Sequence, residues 1–389
     1  MKMWGAAALV AAPVMAADVK PIPWTDNIKL KGDVRVREEY INQGDDSTGK
    51  NGFSRNRMRL RGRLEADAKI NSEVKAVLGL TTDENSDPVS GNQTLGAEFN
   101  KKSIYLDLAY VDWKPSLISE TGVGDVNLLG GKMKNPFLTV SELIWDSDVT
   151  PEGLAMNYVT PKDDNLEALA NGGALWYMER KTDAETMIYA GQVGLKIKNP
   201  EGFYALVGGS MYYFSEVEGY NAFDYAATDA KNGSFYGNSK KNKGTKESVN
   251  YVYANNYHEV EGLAAVGMPC PITKLPWKLY GDYVQNTSAD DNKSGFQAGL
   301  QLSELKNKGD IMVGYAYRKL EADATLGALT DSDWWGGGTD GKGHQVKAGY
   351  QMLKNWSLNG TYFFKNEMKI SSSSPIDYDR VQIDVVAKF

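Results

Sequence analysis

The sequence predicts an all-β fold, a transmembrane antiparallel β-barrel of about sixteen strands. Three observations predict it. Charged and apolar residues alternate one for one through whole segments. Beyond residue 17 no run reaches the 18 apolar residues that mark a membrane helix. Long and short connections between the alternating segments fall on opposite parities.

The first element stands outside the fold. Lys2, the apolar run from Trp4 to Ala12, and Val14-Met15-Ala16 supply the charged start, hydrophobic centre and small residues of an export signal. Residues 1–17 are expected to be removed, leaving 18–389 as a single barrel domain. A soluble chain of that size usually divides into two or three domains, yet no composition break or linker marks a boundary.

The first two strands, near 27–40 and 55–70, decide what each face meets. Ile28, Leu30, Gly32, Val34 and Val36 alternate with Lys29, Lys31, Asp33, Arg35 and Arg37. In the next strand Arg57, Arg59, Arg61 and Arg63 share one face and Met58, Leu60, Leu64, Ala66 and Ala68 the other, because successive side chains point opposite ways. Like charges two residues apart sit roughly 6.7 Å from each other and repel by only about 0.6 kcal/mol in water. On a lipid face at mid-membrane each arginine would cost roughly 2–4 kcal/mol, so four would cost about 8–16 kcal/mol. That matches the whole stability of a domain, about 5–15 kcal/mol. The arginine face must therefore meet water, and the apolar face hydrocarbon.

Further strands are expected near 73–83, 102–113, 126–134, 153–160, 171–180, 186–198 and 202–214. The rest follow near 257–267, 277–286, 294–303, 310–320, 343–353, 356–368 and 377–389. The late strands keep the two-faced pattern: Trp356, Leu358, Tyr362 and Phe364 alternate with Ser357, Asn359, Thr361 and Lys365. The strands near 171–180 and 202–214 are apolar on both faces, which suits either a subunit contact or packing against an inward-folded loop. With both chain ends on one side, the connections near 41–54, 84–101, 135–152, 215–256 and 321–342 are long on the opposite side. Turns such as Asn71-Ser72, Asn199-Pro200-Glu201 and Lys354-Asn355 are short. The short connection near 181–185 and the long one near 114–125 depart from the rule. Membrane barrels sort loops this way; a soluble sandwich has no reason to.

Composition agrees. A mean hydropathy of −0.45 with 40 Gly, 22 Tyr, 11 Phe and 9 Trp fits a wet interior and aromatic girdles at the membrane surfaces. A net charge of −7 argues against nucleic acid as a partner. Cys270 is the single cysteine, so no intramolecular disulfide can form. His258 and His344 are too few for a histidine metal site and have no ligand at metal spacing; no metal and no cofactor are expected. A barrel enzyme would need a nucleophile with His or paired acids in register, so no enzymatic activity is expected.

The last strand sharpens the reading. Val381, Ile383, Val385, Ala387 and Phe389 alternate with Arg380, Gln382, Asp384, Val386 and Lys388, and the chain stops on the aromatic. This resembles the terminal strand of bacterial outer-membrane barrels, whose ending the assembly machinery reads. Gly130-Gly131-Lys132-Met133-Lys134-Asn135-Pro136-Phe137, followed by Trp145-Asp146-Ser147-Asp148-Val149-Thr150-Pro151-Glu152-Gly153, resembles a widespread group of Gram-negative outer-membrane porins of the sixteen-stranded general type. The first of these motifs is similar, more loosely, to the Gly-x-x-Lys-x-Pro-Phe region of phosphate-selective porins.

The resemblance implies an outer-membrane location, contact with lipid and lipopolysaccharide, a homotrimer, and a third outer loop folded into the channel as a constriction. On that basis residues 137–152 form the constriction loop. Glu142, Asp146, Asp148 and Glu152 supply its acidic side, and Arg35, Arg37, Arg57, Arg59, Arg61 and Arg63 the pore-lining basic wall. Facing rows of opposite charge make a transverse field, in which polar solutes align and apolar ones lose hydration. Sixteen strands enclose an aqueous channel. The expected function is passive diffusion of small hydrophilic solutes and ions, leaning to anions if the arginines dominate. The competing reading is a barrel that serves as scaffold, adhesin or sheath for a partner, bound through Trp334-Trp335-Gly336-Gly337-Gly338 or the connection at 215–256.

Overall fold

The computed structural model describes residues 25–161, 165–223, 233–246 and 248–389. The expected export segment, 1–17, lies outside them. Sixteen long strands pair antiparallel, each with its sequence neighbours, and close on themselves. They are β1 Ile28–Gln43, β2 Phe53–Lys69, β3 Val74–Thr82, β4 Ile104–Trp113, β5 Asp125–Lys132, β6 Glu152–Val159, β7 Leu166–Met178 and β8 Thr186–Lys198. After these come β9 Tyr204–Phe214, β10 Tyr257–Pro269, β11 Pro276–Asn286, β12 Ser294–Leu302, β13 Ile311–Leu320, β14 Gly341–Leu353, β15 Trp356–Met368 and β16 Ile376–Lys388. Strand β1 closes the cylinder: Arg37 stands opposite Arg59 of β2 on one side and Asp384 of β16 on the other. The last residue completes the seam, since Gly32 and Phe389 exchange both backbone hydrogen bonds at 3.0 Å. Only glycine fits at position 32, where a Cβ would lie 2.3 Å from the Arg63 carbonyl oxygen and 2.7 Å from the Phe389 ring.

The alternation located every long strand. The largest shift is the start of β7, at Leu166 rather than near 171. Its inward residues include Leu169 and Leu175, so apolar side chains on both faces hide the period there. Short pieces of structure escaped it too. Gln93–Thr94 pairs with β2 beyond the end of β3, Lys240–Asn242 pairs with Tyr251–Tyr253 inside the 215–256 connection, and one helical turn spans Ser116–Ser119. Two or three residues are too few to show a period.

The two faces divide as their chemistry requires. Val34, Met58 and Leu64 point outward and stay 45%, 47% and 41% exposed, whereas Arg37 and Arg61 point inward and are buried. His344 belongs to the outward face. It stacks with Phe364, lies tilted against Tyr317, and its Nδ1 lies 2.7 Å from the Tyr315 hydroxyl.

Inside the loop-side half the barrel holds a packed core rather than open water. Phe137, Leu143, Ile144 and Trp145 from the 133–151 connection meet Leu326, Leu329, Trp334 and Trp335 from the 321–340 connection. Phe223, Phe235 and Tyr253 from 215–256 join them. The wall supplies Leu175, Ile188, Tyr212, Phe214, Phe363 and Tyr378. Phe137 and Trp145 lie edge-on to Tyr212 at 5.4 and 5.6 Å between ring centroids. The doubly apolar strands β7 and β9 thus face an inward-folded segment. Trp334 and Trp335 are fully buried, so the tryptophan pair offers no surface to a partner.

Candidate functional site

An open cavity of about 1490 Å³ lies within the barrel. Its lining starts at Lys31, Lys388 and Phe389, beside the seam. It passes Arg63, Asp107 and Lys132, and reaches Asp83, Asp87, Phe223 and Trp334 on the loop side. Basic and acidic side chains mix along it.

Strand pairing brings the arginines together. Because Arg35 is opposite Arg61 and Arg37 is opposite Arg59, four guanidiniums occupy one block of the inner face. Carboxylates are threaded through that block. Arg37 holds Asp384 in a fork, at 2.7 and 2.9 Å, and also reaches Asp333 at 3.3 Å. Arg57 pairs with Glu39. Arg61 and Arg63 both grip Asp33, at 3.0 and 2.7 Å, and both reach Asp148, at 3.3 and 3.2 Å. Arg35 donates to the Asn92 side chain at 2.7 Å. Arg59 has no ion-pair partner among the described residues. Of the six arginines, Arg63 borders the cavity; loop residues lie against Arg35, Arg37 and Arg61, through Asn92, Asp333 and Asp148 respectively. Forked carboxylate pairs are strong and directional, so the row docks loops as well as lining a wall.

The four acids of the 133–152 region separate. Asp148 bridges Arg61 and Arg63. Glu152 opens β6, is mostly exposed, and pairs with Lys132 at 3.1 Å. Glu142 and Asp146 cluster with Asp331, with oxygens of all three within 4.8 Å of one another. Burial, with Asp331 alongside, pushes Glu142 up to about 8. Burial, then Glu142 and Asp331, pushes Asp146 well above the usual carboxylate range. A carboxyl in low dielectric beside other carboxyls keeps its proton. At neutral pH these two therefore add little negative charge. The trio offers oxygens to a cation, but Arg318, 3.8 Å from Asp331, already supplies positive charge there.

Sequence reasoning missed four groups that shape this interior. Arg380, beside Val381 in an alternating strand, is legible as inward; its partners Glu39 and Asp333, at 3.4 and 2.9 Å, appear only when the cylinder closes. Arg318 alternates with Tyr317 and is fully buried, donating to Gln297 at 2.8 Å beneath the Trp334 ring. Asp331 and Asp333 lie in a segment without periodicity, and nothing in the sequence signals them. Burial alone would raise the Asp333 carboxyl, but Arg37, Arg380 and Arg35 hold it well below the usual range.

The family described as "Putative porin" matches residues 48–262 and 248–389. The chain belongs to this porin family. No curated protein matches the porin's sequence. Among solved structures, Pseudomonas putida OprB at high pH is 11% identical, covers 94% of this porin and 95% of its own chain, and gives a TM-score of 0.57. Salmonella typhi OmpF, in complex with daunomycin, is 10% identical, covers 94% and 99%, and gives 0.53. At such identities the likeness is one of fold, a closed barrel; the outer-membrane location follows from the porin family.

Proposed function

We propose that this porin is a passive channel for small hydrophilic solutes and ions, exported by its N-terminal segment and embedded among outer-membrane lipid and lipopolysaccharide. The carrying observation is the open cavity of about 1490 Å³, lined in part by Lys31, Arg63, Asp107, Lys132 and Lys347, inside a closed barrel whose outer face is apolar. A hydrated solute keeps polar partners along the charged part of that lining. The segment 133–151 acts as the constriction, because its apolar residues pack inside the barrel and Asp148 reaches Arg61 and Arg63 of β2. The transverse field there comes from Asp148 against those arginines, with Glu142 and Asp146 largely neutral. An anion lean would rest on the lining lysines Lys278, Lys347 and Lys388, since Arg37, Arg57, Arg61 and Arg63 are already paired and Lys31 and Lys134 are held by Glu65.

The homotrimer contact in this proposal falls on β3–β6. Those strands have 8–10 residues against 16 and 17 in β1 and β2. Leu78, Ile104, Leu106 and Leu154 on their outer face are more than half exposed. Neighbouring copies would cover this low, apolar wall. The test is conductance in planar bilayers: stepwise channels support the proposal, and silence from correctly folded protein would turn the reading to a scaffold or adhesin plugged by its own loops.

A further inference from the structure

We propose that the segments 133–151 and 321–340 form a plug clasped where Glu142 and Asp146 meet Asp331, with the Glu142 and Asp146 carboxyls holding the segments together while protonated and parting them once ionised. The channel reading enters this proposal only through its electrical readout.

The two segments meet through more than apolar packing. The Asp146 amide donates to the Leu329 carbonyl at 2.8 Å, and the Ser332 amide donates to the Asp146 carboxyl at 3.0 Å. The Thr330 hydroxyl donates to the Leu143 carbonyl at 3.0 Å. At the centre of this contact sit three carboxyls with oxygens within 4.8 Å. Three negative charges so close in a poorly hydrated place repel strongly, whereas protonated or proton-sharing carboxyls attract.

The surroundings contain too little positive charge to hold all three ionised. From β13, Arg318 reaches Asp331 at 3.8 Å, and its field is also drawn on by Asp282 and Glu142. From β14, Lys347 faces Glu142. From the same segment, Ser147 hydrogen-bonds Glu142, and Asp148 adds a further negative charge beside Asp146. Asp148 is itself engaged by Arg61 and Arg63. Two cations against three carboxyls leave one proton required for balance. Burial and the neighbouring carboxyls push Glu142 up to about 8 and hold Asp146 well above the usual carboxylate range, so the clasp charges as pH rises through the alkaline side of neutral.

All three carboxyls border the cavity, so water and protons reach them, and their separation changes its calibre. The far end of the plug stays fixed. Asp333 is held between Arg37 and Arg380, whose charges do not change in this range. Movement is therefore confined to the stretch before Asp333, and the outcome is a wider bore rather than an expelled segment.

The test records single-channel conductance from pH 6.5 to 9.5 for the full porin and for Glu142→Gln/Asp146→Asn, which imitates the protonated clasp and preserves its shape. In parallel, acrylamide quenching of Trp145 is taken as the difference between the porin and Trp145→Phe. The expected result is a conductance that rises about twofold with a midpoint near 8, a double variant that stays flat at the low level, and a Trp145 exposure that rises in step. A flat wild-type conductance with constant Trp145 exposure overturns the clasp and leaves the channel standing. A double variant that keeps the step also overturns it. If the barrel never conducts, the channel reading fails, and Trp145 alone decides: pH-dependent exposure upholds the clasp and constant exposure ends it.

Discussion

Replacing Asp333 by Asn removes one negative charge from between two buried guanidiniums while keeping the side-chain shape. Arg37 and Arg380 reach the carboxylate at 3.3 and 2.9 Å. Breaking a fully buried pair costs about 3–5 kcal/mol, because the surviving charge is left uncompensated. Here the cost is smaller for two reasons. Arg37 keeps its fork to Asp384, and Arg380 keeps Glu39 and the carbonyls of Ser332 and Asp333. The Asp333 side chain also remains 26% exposed, so solvent screens part of the attraction. About 1.5–3 kcal/mol is the expected loss.

Equilibrium urea unfolding in detergent micelles reads it as a lower midpoint with an unchanged slope. The pH dependence gives a second check. The arginines hold the Asp333 carboxyl below its usual range, so its stabilisation is complete above the unfolded value of about 3.9 and fades as pH falls toward the folded one. The gap between wild type and Asp333→Asn should be constant from pH 5 to 8 and narrow toward pH 2. An unaltered midpoint at pH 7, or a gap of equal size at pH 7 and pH 3, would refute the claim that the carboxylate charge anchors the 321–340 segment.

Other outcomes follow from the same geometry. Removing both Arg61 and Arg63 side chains frees Asp33 and Asp148, so reversal potentials in a salt gradient should move toward cation preference; no movement would mean that this pairing is not the filter. Placing arginine at Met58 or Leu64, on the lipid face, should destabilise the barrel by roughly 2–4 kcal/mol each, seen as a lower folding yield into vesicles. Trp145→Ala opens a hole among Phe137, Tyr212 and the loop core. A cost of about 3–5 kcal/mol is expected, felt locally as faster proteolysis of the 133–151 segment with the strand signal of circular dichroism intact.

Much of the fold was legible because one rule governs it. A strand shows its two faces with period two, and a barrel wall places each face in a different solvent, so Arg57, Arg59, Arg61 and Arg63 against Met58, Leu60 and Leu64 already stated which side was wet. The rule falters at β7 and β9, where Leu175, Tyr212 and Phe214 face inward yet apolar. The inward partner there is another piece of chain. The shared face of the arginines was legible in the sequence, but their partners were not. Arg37 meets Asp384 across 347 positions of sequence, and no local pattern foretells that neighbour.

The sequence by itself determined the strands, their faces and the sorting of loops, because these depend on contacts between near residues and on the contrast between hydrocarbon and water. Only the tertiary structure decided that 321–340 turns inward beside 133–151, that Glu142 and Asp146 share a buried cluster with Asp331, and that most wall arginines are already paired. Those facts depend on which surfaces the closed cylinder brings face to face, and a segment without periodicity carries no record of the wall it will meet.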